Sequence, residues 1–477
     1  MIADLRPYPE YKDSGVPWLG RVPTHWDMVR TKNLFHERNV RGYPDEPLLA
    51  ATQTKGVVRK EEYENRTVLA IKDLQNLKLV LVGDFVISLR SFQGGIEYAR
   101  HQGIISPAYT VLYPAKKENH GYFAILFKSR FFIEGLKLYV TGIRQGQNID
   151  YVKLSRSLIP FPPPREQKAI ETFVLDFDQR CRRLMRNRRR LIEVLNEQKQ
   201  AIINQAVTRG LDPNVPLKPS GIDWLGDIPE HWEVRRLRHM ASVRLSSVDK
   251  LIAKGERPVR LCNYVDVYHN NFITENIDFM QGTASDPEIE AFKLRKGDVL
   301  ITKDSEEWQD IAVSAYVPES LQDVVCGYHL AVIRPREEVI NGEYLARAFS
   351  AESIAVQFRL AAKGVTRYGL TQEAIKGAFF LVPPLKEQLE IVISIRDQCN
   401  QIQAAVLKAQ REIDLIREYR TRLIADVVTG KLDVRGWQGE APRLEEEESE
   451  LLELGEEEEL ELDTDEAGEM AAAELRE

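Results

Sequence analysis

The chain says almost the same thing twice, 206 residues apart. Ser14-Gly15-Val16-Pro17-Trp18-Leu19-Gly20, followed by Val22-Pro23-Thr24-His25-Trp26, returns as Ser220-Gly221-Ile222-Asp223-Trp224-Leu225-Gly226, followed by Ile228-Pro229-Glu230-His231-Trp232. Later landmarks repeat at an offset of 221. Pro162-Pro163 with Glu166-Gln167 matches Pro383-Pro384 with Glu387-Gln388, and Val207-Thr208 with Leu211-Asp212 matches Val428-Thr429 with Leu432-Asp433. A repeat of roughly 210 residues is far longer than a solenoid unit, so whole modules are duplicated. Two similar modules on one chain can hold two sites of one extended ligand.

Bulk properties narrow the class. A chain of 477 residues divides into about two to four domains, each able to bury its own core. No apolar run approaches the ~18 residues of a membrane span. The beginning, Met1-Ile2-Ala3-Asp4-Leu5-Arg6-Pro7, lacks the apolar core of a secretory signal. Cys181, Cys262, Cys326 and Cys399 lie far apart without a C-x-x-C pair, which points to reduced thiols in a cytoplasmic protein and against zinc. The net charge of -8 conceals a division. Gly439 to Glu477 holds 18 acidic and 2 basic residues, net -16; residues 1 to 438 keep 63 basic against 55 acidic, net +8. The body is mildly basic, compatible with a nucleic-acid partner but not diagnostic of one.

Each copy follows one plan. The tryptophan-bearing segment is rich in Pro and Gly and reads as a packed loop. Val80 to Ser88 and Leu294 to Thr302 each place a Gly-Asp turn before an apolar strand, and Tyr109 to Pro114 and Leu330 to Pro335 supply another. Short helices are expected over residues 122–129 and 342–350. Each module is therefore mixed α and β.

Each copy then changes character. Pro162-Pro163-Pro164 and Pro383-Pro384 announce helix starts, and Gly210 and Gly430 stand where left-handed C-caps are expected. About 42 residues lie between, roughly 63 Å of helix. Alternating steps of four and three visit Ile170, Val174, Phe177, Cys181, Leu184, Arg188, Leu191, Leu195, Gln198, Ile202 and Gln205. In the second stretch they visit Ile391, Ile395, Gln398, Ile402, Ala405, Ala409, Glu412, Ile416, Tyr419, Leu423 and Asp426. A 3.5-residue repeat predicts that each helix pairs along its length as a coiled coil, most simply with the other. Antiparallel pairing is expected, since one helix leads into the second module and the other leads away from it. Arg188 would then meet Glu412 or Asp414.

Tandem modules that open with Trp-Leu-Gly and Pro-x-His-Trp, each followed by Pro-Pro-x-x-Glu-Gln and a long helix, resemble the specificity subunits of type I restriction–modification systems. The resemblance runs from residue 11 to about 435. It implies two target-recognition domains, each reading half of a split site on double-stranded DNA. It also implies a pair of helices that fixes their separation and docks DNA methyltransferase (modification) subunits, two in number. Translocating restriction subunits join in restriction complexes, the machinery of phage defence. The subunit itself catalyses nothing and needs no cofactor. The expected fold is α+β: two tandem mixed domains at 1–161 and 211–382, separated by antiparallel helices at 162–210 and 383–435 with pseudo-twofold symmetry. Composition alone, and not the resemblance, predicts an acidic, disordered tail at 436–477.

Long polar side chains on loops that follow strands are the expected base readers. In the first module these are Arg90, Ser91 and Gln93, beside Gly94-Gly95, and Arg144, Gln145 and Asn148. In the second they are Lys303 and the run Lys363, Thr366, Arg367 and Tyr368. The four repeated tryptophans are expected in cores, and His25 and His231 as structural histidines. The run Arg182-Arg183, Arg186 and Arg188-Arg189-Arg190 leaves open a solvated face, a partner-docking face or a phosphate contact. Intrinsic catalysis is disfavoured: there is no cofactor loop, no Asn-Pro-Pro-aromatic motif, no Walker loop and no His/Cys cluster for a metal. The remaining alternative is a coiled-coil adaptor that binds protein rather than DNA.

Overall fold

The computed structural model describes residues 5–53, 55–62, 73–116, 120–141 and 148–437. The chain forms two compact units, one from Met1–Arg188 with Arg411–Glu477, the other from Arg189–Gln410. Both mix helix and strand.

The same four-stranded antiparallel sheet stands in each unit. In the first its order is Phe35–Arg38, Thr110–Pro114, Phe85–Ile87, Glu97–Tyr98. In the second it is Ala241–Leu245, Leu330–Pro335, Val299–Thr302, Ser314–Tyr316. The Gly-Asp turn entering the third strand is real in both. Gly83 and Gly297 adopt φ of 93° and 91°, a region costly to any residue with a Cβ. The following aspartates are buried and accept from backbone N–H groups three residues back, Leu81 at 2.9 Å and Arg295 at 2.9 Å. Each also meets a guanidinium, Arg38 on Asp84 and Arg334 on Asp298, drawn from different strands. Burial lifts the Asp298 carboxyl above its usual range despite these donors.

Two long helices, Pro164–Arg209 and Leu385–Val428, begin beside the predicted prolines. Gly210 and Gly430 follow them at φ 76°, the expected left-handed caps. The Glu-Gln pairs that open these helices explain the repeated His-Trp pairs. Glu166 is buried and accepts from Trp26 Nε1 at 2.8 Å, from the Tyr8 hydroxyl, and pairs with His25 Nε2 at 2.8 Å. Glu387 accepts from Trp232 Nε1 at 3.1 Å and pairs with His231 Nε2 at 2.7 Å. Gln167 and Gln388 donate back to the carbonyls of Pro162 and Pro383, at 2.7 and 2.8 Å. Both histidines are thus held by carboxylates in structural positions.

The far helix ends close the same cores. In the first unit Tyr122 donates to the Val428 carbonyl at 3.0 Å, and a Cβ on Gly430 would come within 2.9 Å of Trp26. In the second, Tyr344 donates to the carbonyls of Leu381 at 3.0 Å and Val207 at 3.4 Å, and a Cβ on Gly210 would lie 3.3 Å from Trp232.

Two expectations need correction. Trp26 and Trp232 are fully buried, but Trp18 is only partly buried and Trp224 is 49% exposed. Trp18 packs edge-on against Phe132 and over Gly135, whose Cβ would clash with it at 2.5 Å. The expected seam also drifts. Leu184 and Leu191 are exposed while Met185 is buried; Cys399 and Ile413 are buried where Gln398 and Glu412 were expected. On the second helix the buried or half-buried face runs Ile391, Ile395, Cys399, Ile402, Val406, Ala409, Ile413, Ile416, Arg420, Leu423, Val427. Ten steps over those 36 residues average 3.6, the period of a straight helix rather than the 3.5 of a left-handed supercoil.

Glu166 serves three donors and is 4% exposed; Glu387 serves two and its side chain is 24% exposed. Replacing Glu166 by Ala should therefore cost about 3–5 kcal/mol, and Glu387 by Ala about 1–2 kcal/mol, because stranded buried donors carry the penalty. Urea unfolding followed by tryptophan fluorescence checks the order; equal losses would contradict it.

Candidate nucleic-acid interface

In both units the third sheet strand delivers the chain into a polar loop. In the first unit this loop is Ser88 to Gly95. Arg90 and Gln93 are exposed. Ser91 is buried, and its Oγ accepts from Ser88 N at 2.8 Å, so this hydroxyl shapes the loop. Gly95 has φ 89°, and a Cβ there would come within 2.3 Å of the Phe127 carbonyl. The glycines thus let the loop lie flat on the helix His120–Lys128. Lys128 fastens it by donating to the carbonyls of Gly94 at 2.6 Å and Gln53 at 2.7 Å, and to Glu97 at 2.9 Å.

The short helix Ser91–Gly94 packs against the strand Asn148–Ile149, which carries the described end of the second expected loop. Asn148 is half-buried, with its Oδ1 accepting from Ile149 N at 2.9 Å. Arg144 and Gln145 lie outside the described residues.

The second unit repeats the convergence by a different device. Asp304–Ser305 forms a short antiparallel ladder with Tyr368–Gly369. This joins the loop after the third strand to the loop Lys363–Tyr368. Lys363, Thr366 and Arg367 are exposed, and Tyr368 is half-buried. Gly364 is obligatory here: a Cβ would lie 1.8 Å from the Arg367 carbonyl. Lys303 turns partly inward. Its Nζ sits 4.0 Å from the Tyr328 ring centroid and 3.4 Å from the Ser246 carbonyl, and desolvation lowers its pKa against the pull of Asp304.

Beside the expected Lys303-Asp304-Ser305 loop stand four residues not singled out from the sequence, Tyr264, Tyr268, Tyr328 and His329. Asp304 pairs with His329 Nδ1 at 2.5 Å and faces Arg367 Nε at 3.9 Å. Tyr264 meets the Ser305 hydroxyl at 3.2 Å and stacks on Tyr268 with centroids 5.6 Å apart. Tyr328 is 50% exposed. The one available signal was Tyr328-His329 directly before a predicted strand. The arrangement offers exposed guanidinium, ammonium and aromatic groups on loops held by a rigid sheet, the equipment for base edges and phosphates. Among the described residues no group of His, Cys, Asp and Glu could hold a metal, and no helix is long and apolar enough to cross a membrane.

Glu97, beneath the first loop, is driven by burial to a pKa of about 7, against the opposing effect of Lys128. A carboxyl raised in the folded state contributes stability that is full below its ordinary value and lost as pH rises towards 7. Stability of the wild type should therefore fall between pH 4.5 and 7 relative to Glu97→Gln, measured by urea unfolding at each pH; parallel curves would contradict this.

Comparison with known proteins gives a consistent picture. Residues 229–409 match the model of the type I restriction modification DNA specificity domain. The chain is 22% identical over 446 residues to the putative type I restriction enzyme MjaX specificity subunit of Methanocaldococcus jannaschii, covering 87% of this chain and 96% of that one. It is 24% identical over 344 residues to the EcoBI specificity subunit of Escherichia coli, covering 67% and 68%. A solved chain from work on complex assembly and conformational transition of the type I R-M system aligns with TM-score 0.62 at 15% identity, covering 85% of this chain and 98% of that one. That alignment shows a shared fold. With the repeated His-Trp and Glu-Gln locks, these likenesses make the chain similar to type I restriction–modification specificity subunits.

Proposed function

We propose that this chain is the non-catalytic, sequence-specific DNA-binding subunit of a type I restriction–modification complex, and that each unit reads one half of a bipartite site. The observation that supports this reading is that in each unit the polar loop after the third sheet strand meets a second short strand, Asn148–Ile149 in the first and Tyr368–Gly369 in the second. The scaffold is repeated but the loops are not, as two readers of different half-sites require. Arg90, Gln93 and Asn148 in the first unit, with Arg144 and Gln145, and Lys363, Thr366, Arg367 and Tyr368 in the second are the proposed contacts. Ser91 and Lys303 hold those loops in shape and add a hydroxyl and a positive charge.

In this reading residues 1–161 and 211–382 are target-recognition domains, and 162–210 and 383–435 form an antiparallel helix pair between them, related by pseudo-twofold symmetry. The side-chain pairs Asp178 with Arg420 and Arg188 with Glu412 support antiparallel packing, since one number rises as the other falls. The pair acts as a spacer and docks two DNA methyltransferase subunits, with restriction subunits completing the complex. Such a ruler makes half-site separation a geometric property of the protein.

Selection from a random duplex pool, with the modification subunit bound, should yield a split motif with a fixed spacer. No selected sequence would favour the protein-adaptor reading. Deleting seven residues, about two turns, from each long helix removes about 10 Å and should shorten the spacer by about three base pairs. Arg367→Ala should cost about 1–3 kcal/mol and relax selectivity in one half-site, whereas Lys363→Ala should weaken all sequences alike and lower the salt slope by about 1. Filter binding across a salt series separates the two.

A further inference from the structure

One apolar face of the first unit is left uncovered among the described residues. On the first long helix Phe173, Phe177, Arg180 and Leu184 follow steps of four, three and four, so they share one stripe. Phe173 and Phe177 stack at 5.9 Å, and Trp437, the last described residue, sits edge-on to Phe173 at 5.1 Å with Arg180 over its ring. Tyr419 of the second long helix lies edge-on to Phe177 at 6.0 Å. Beyond that aromatic row the stripe stays apolar and meets solvent. Leu184 is 49% exposed, Tyr419 48% and Leu415 64%. Exposed arginines border it: Arg180 and Arg183 on the first helix, Arg411 and Arg422 on the second.

The chain that continues from Trp437 has the complementary composition. Residues 438–477 lie outside the described residues. They carry Glu445-Glu446-Glu447-Glu448 and Glu456-Glu457-Glu458-Glu459, with Leu444, Leu451, Leu452, Leu454, Leu460 and Leu462 between and beside them. Leu184 is 11 residues, about 16 Å, along the helix from the Trp437 anchor at Phe173. Fourteen residues separate Trp437 from Leu451, and an extended chain of that length reaches about 46 Å. The chain leaves Trp437 on this stripe, has the length to follow it, and carries leucines and acids that match the stripe's leucines and arginines.

We propose that the acidic, leucine-bearing C-terminal segment docks in cis on the first unit's helix face formed by Leu184, Leu415 and Tyr419, with its glutamates against Arg180, Arg183 and Arg422. Docking there removes an adhesive apolar surface from solvent. It also makes the tail a competitor for any acidic-apolar partner helix that would use the same face.

All four native cysteines are buried, so single added thiols can be labelled selectively. L184C and L415C would be made in the full chain and in a chain ending at Trp437, and maleimide labelling rates compared. Docking predicts labelling at both positions at least about fivefold slower in the full chain, the protection given by a docked population of about 80%. L360C, on the second unit, should label equally in both. Replacing Leu451, Leu452 and Leu454 by Ser in the tail should restore fast labelling without touching the folded unit. Equal rates with and without the tail would overturn the proposal. So would protection found instead at V365C, which would put the tail on the polar loops of the second unit.

Discussion

A carboxylate at the first turn of each long helix, buried at Glu166 and half-buried at Glu387, holds this protein together. Glu166 and Glu387 stand where a helix leaves a globular module, and each receives an indole N–H and a histidine from a segment about 140 to 156 residues earlier. The arrangement is favourable for two reasons. The helix N-terminus favours negative charge, and fixed donors replace the water that burial removes. The indole can be buried because its N–H has a partner, and the helix emerges at a defined angle because its first turn is anchored.

The glycine caps extend this logic. Each module's tryptophan is covered by the C-terminal end of a long helix, and only a residue without Cβ allows the backbone so close. Every unit is thus closed by segments distant in sequence. In the first unit the N-terminal stretch even continues onto the C-terminal one, with Asp433 N donating to the Arg6 carbonyl at 2.8 Å and Tyr11 to the Lys431 carbonyl at 3.0 Å. Two readers of different half-sites on one chain, as proposed, need this frame repeated and the loops beyond the third strand to differ. The two units meet that demand differently, one with a short helix fastened by Lys128, the other with a two-residue ladder.

The cationic groups on the loops of the second unit are not free-standing. Asp304 is flanked by His329 and Arg367, so the acid orients two neighbouring donors. Such support determines whether an exposed arginine reaches a base edge with a fixed geometry or merely adds charge.

The sequence by itself determined the duplication, the helix starts and caps and the Gly-Asp turns. These depend on local chemistry: proline and glycine restrict φ, and strands and helices have fixed periods. It did not determine which tryptophans are core, because Trp18 and Trp224 occupy equivalent repeat positions and only Trp18 meets a Gly135 and a Phe132 to pack on. Nor did it determine the helix seam, because 3.5 and 3.6 residues per step differ by only about a tenth of a residue per turn, and tertiary contact selects Met185 over Leu184. The partners of Glu166, Asp304 and Lys128 were equally hidden. Those bonds join residues tens to more than a hundred positions apart, and pairing over such distances is decided only when the chain has folded.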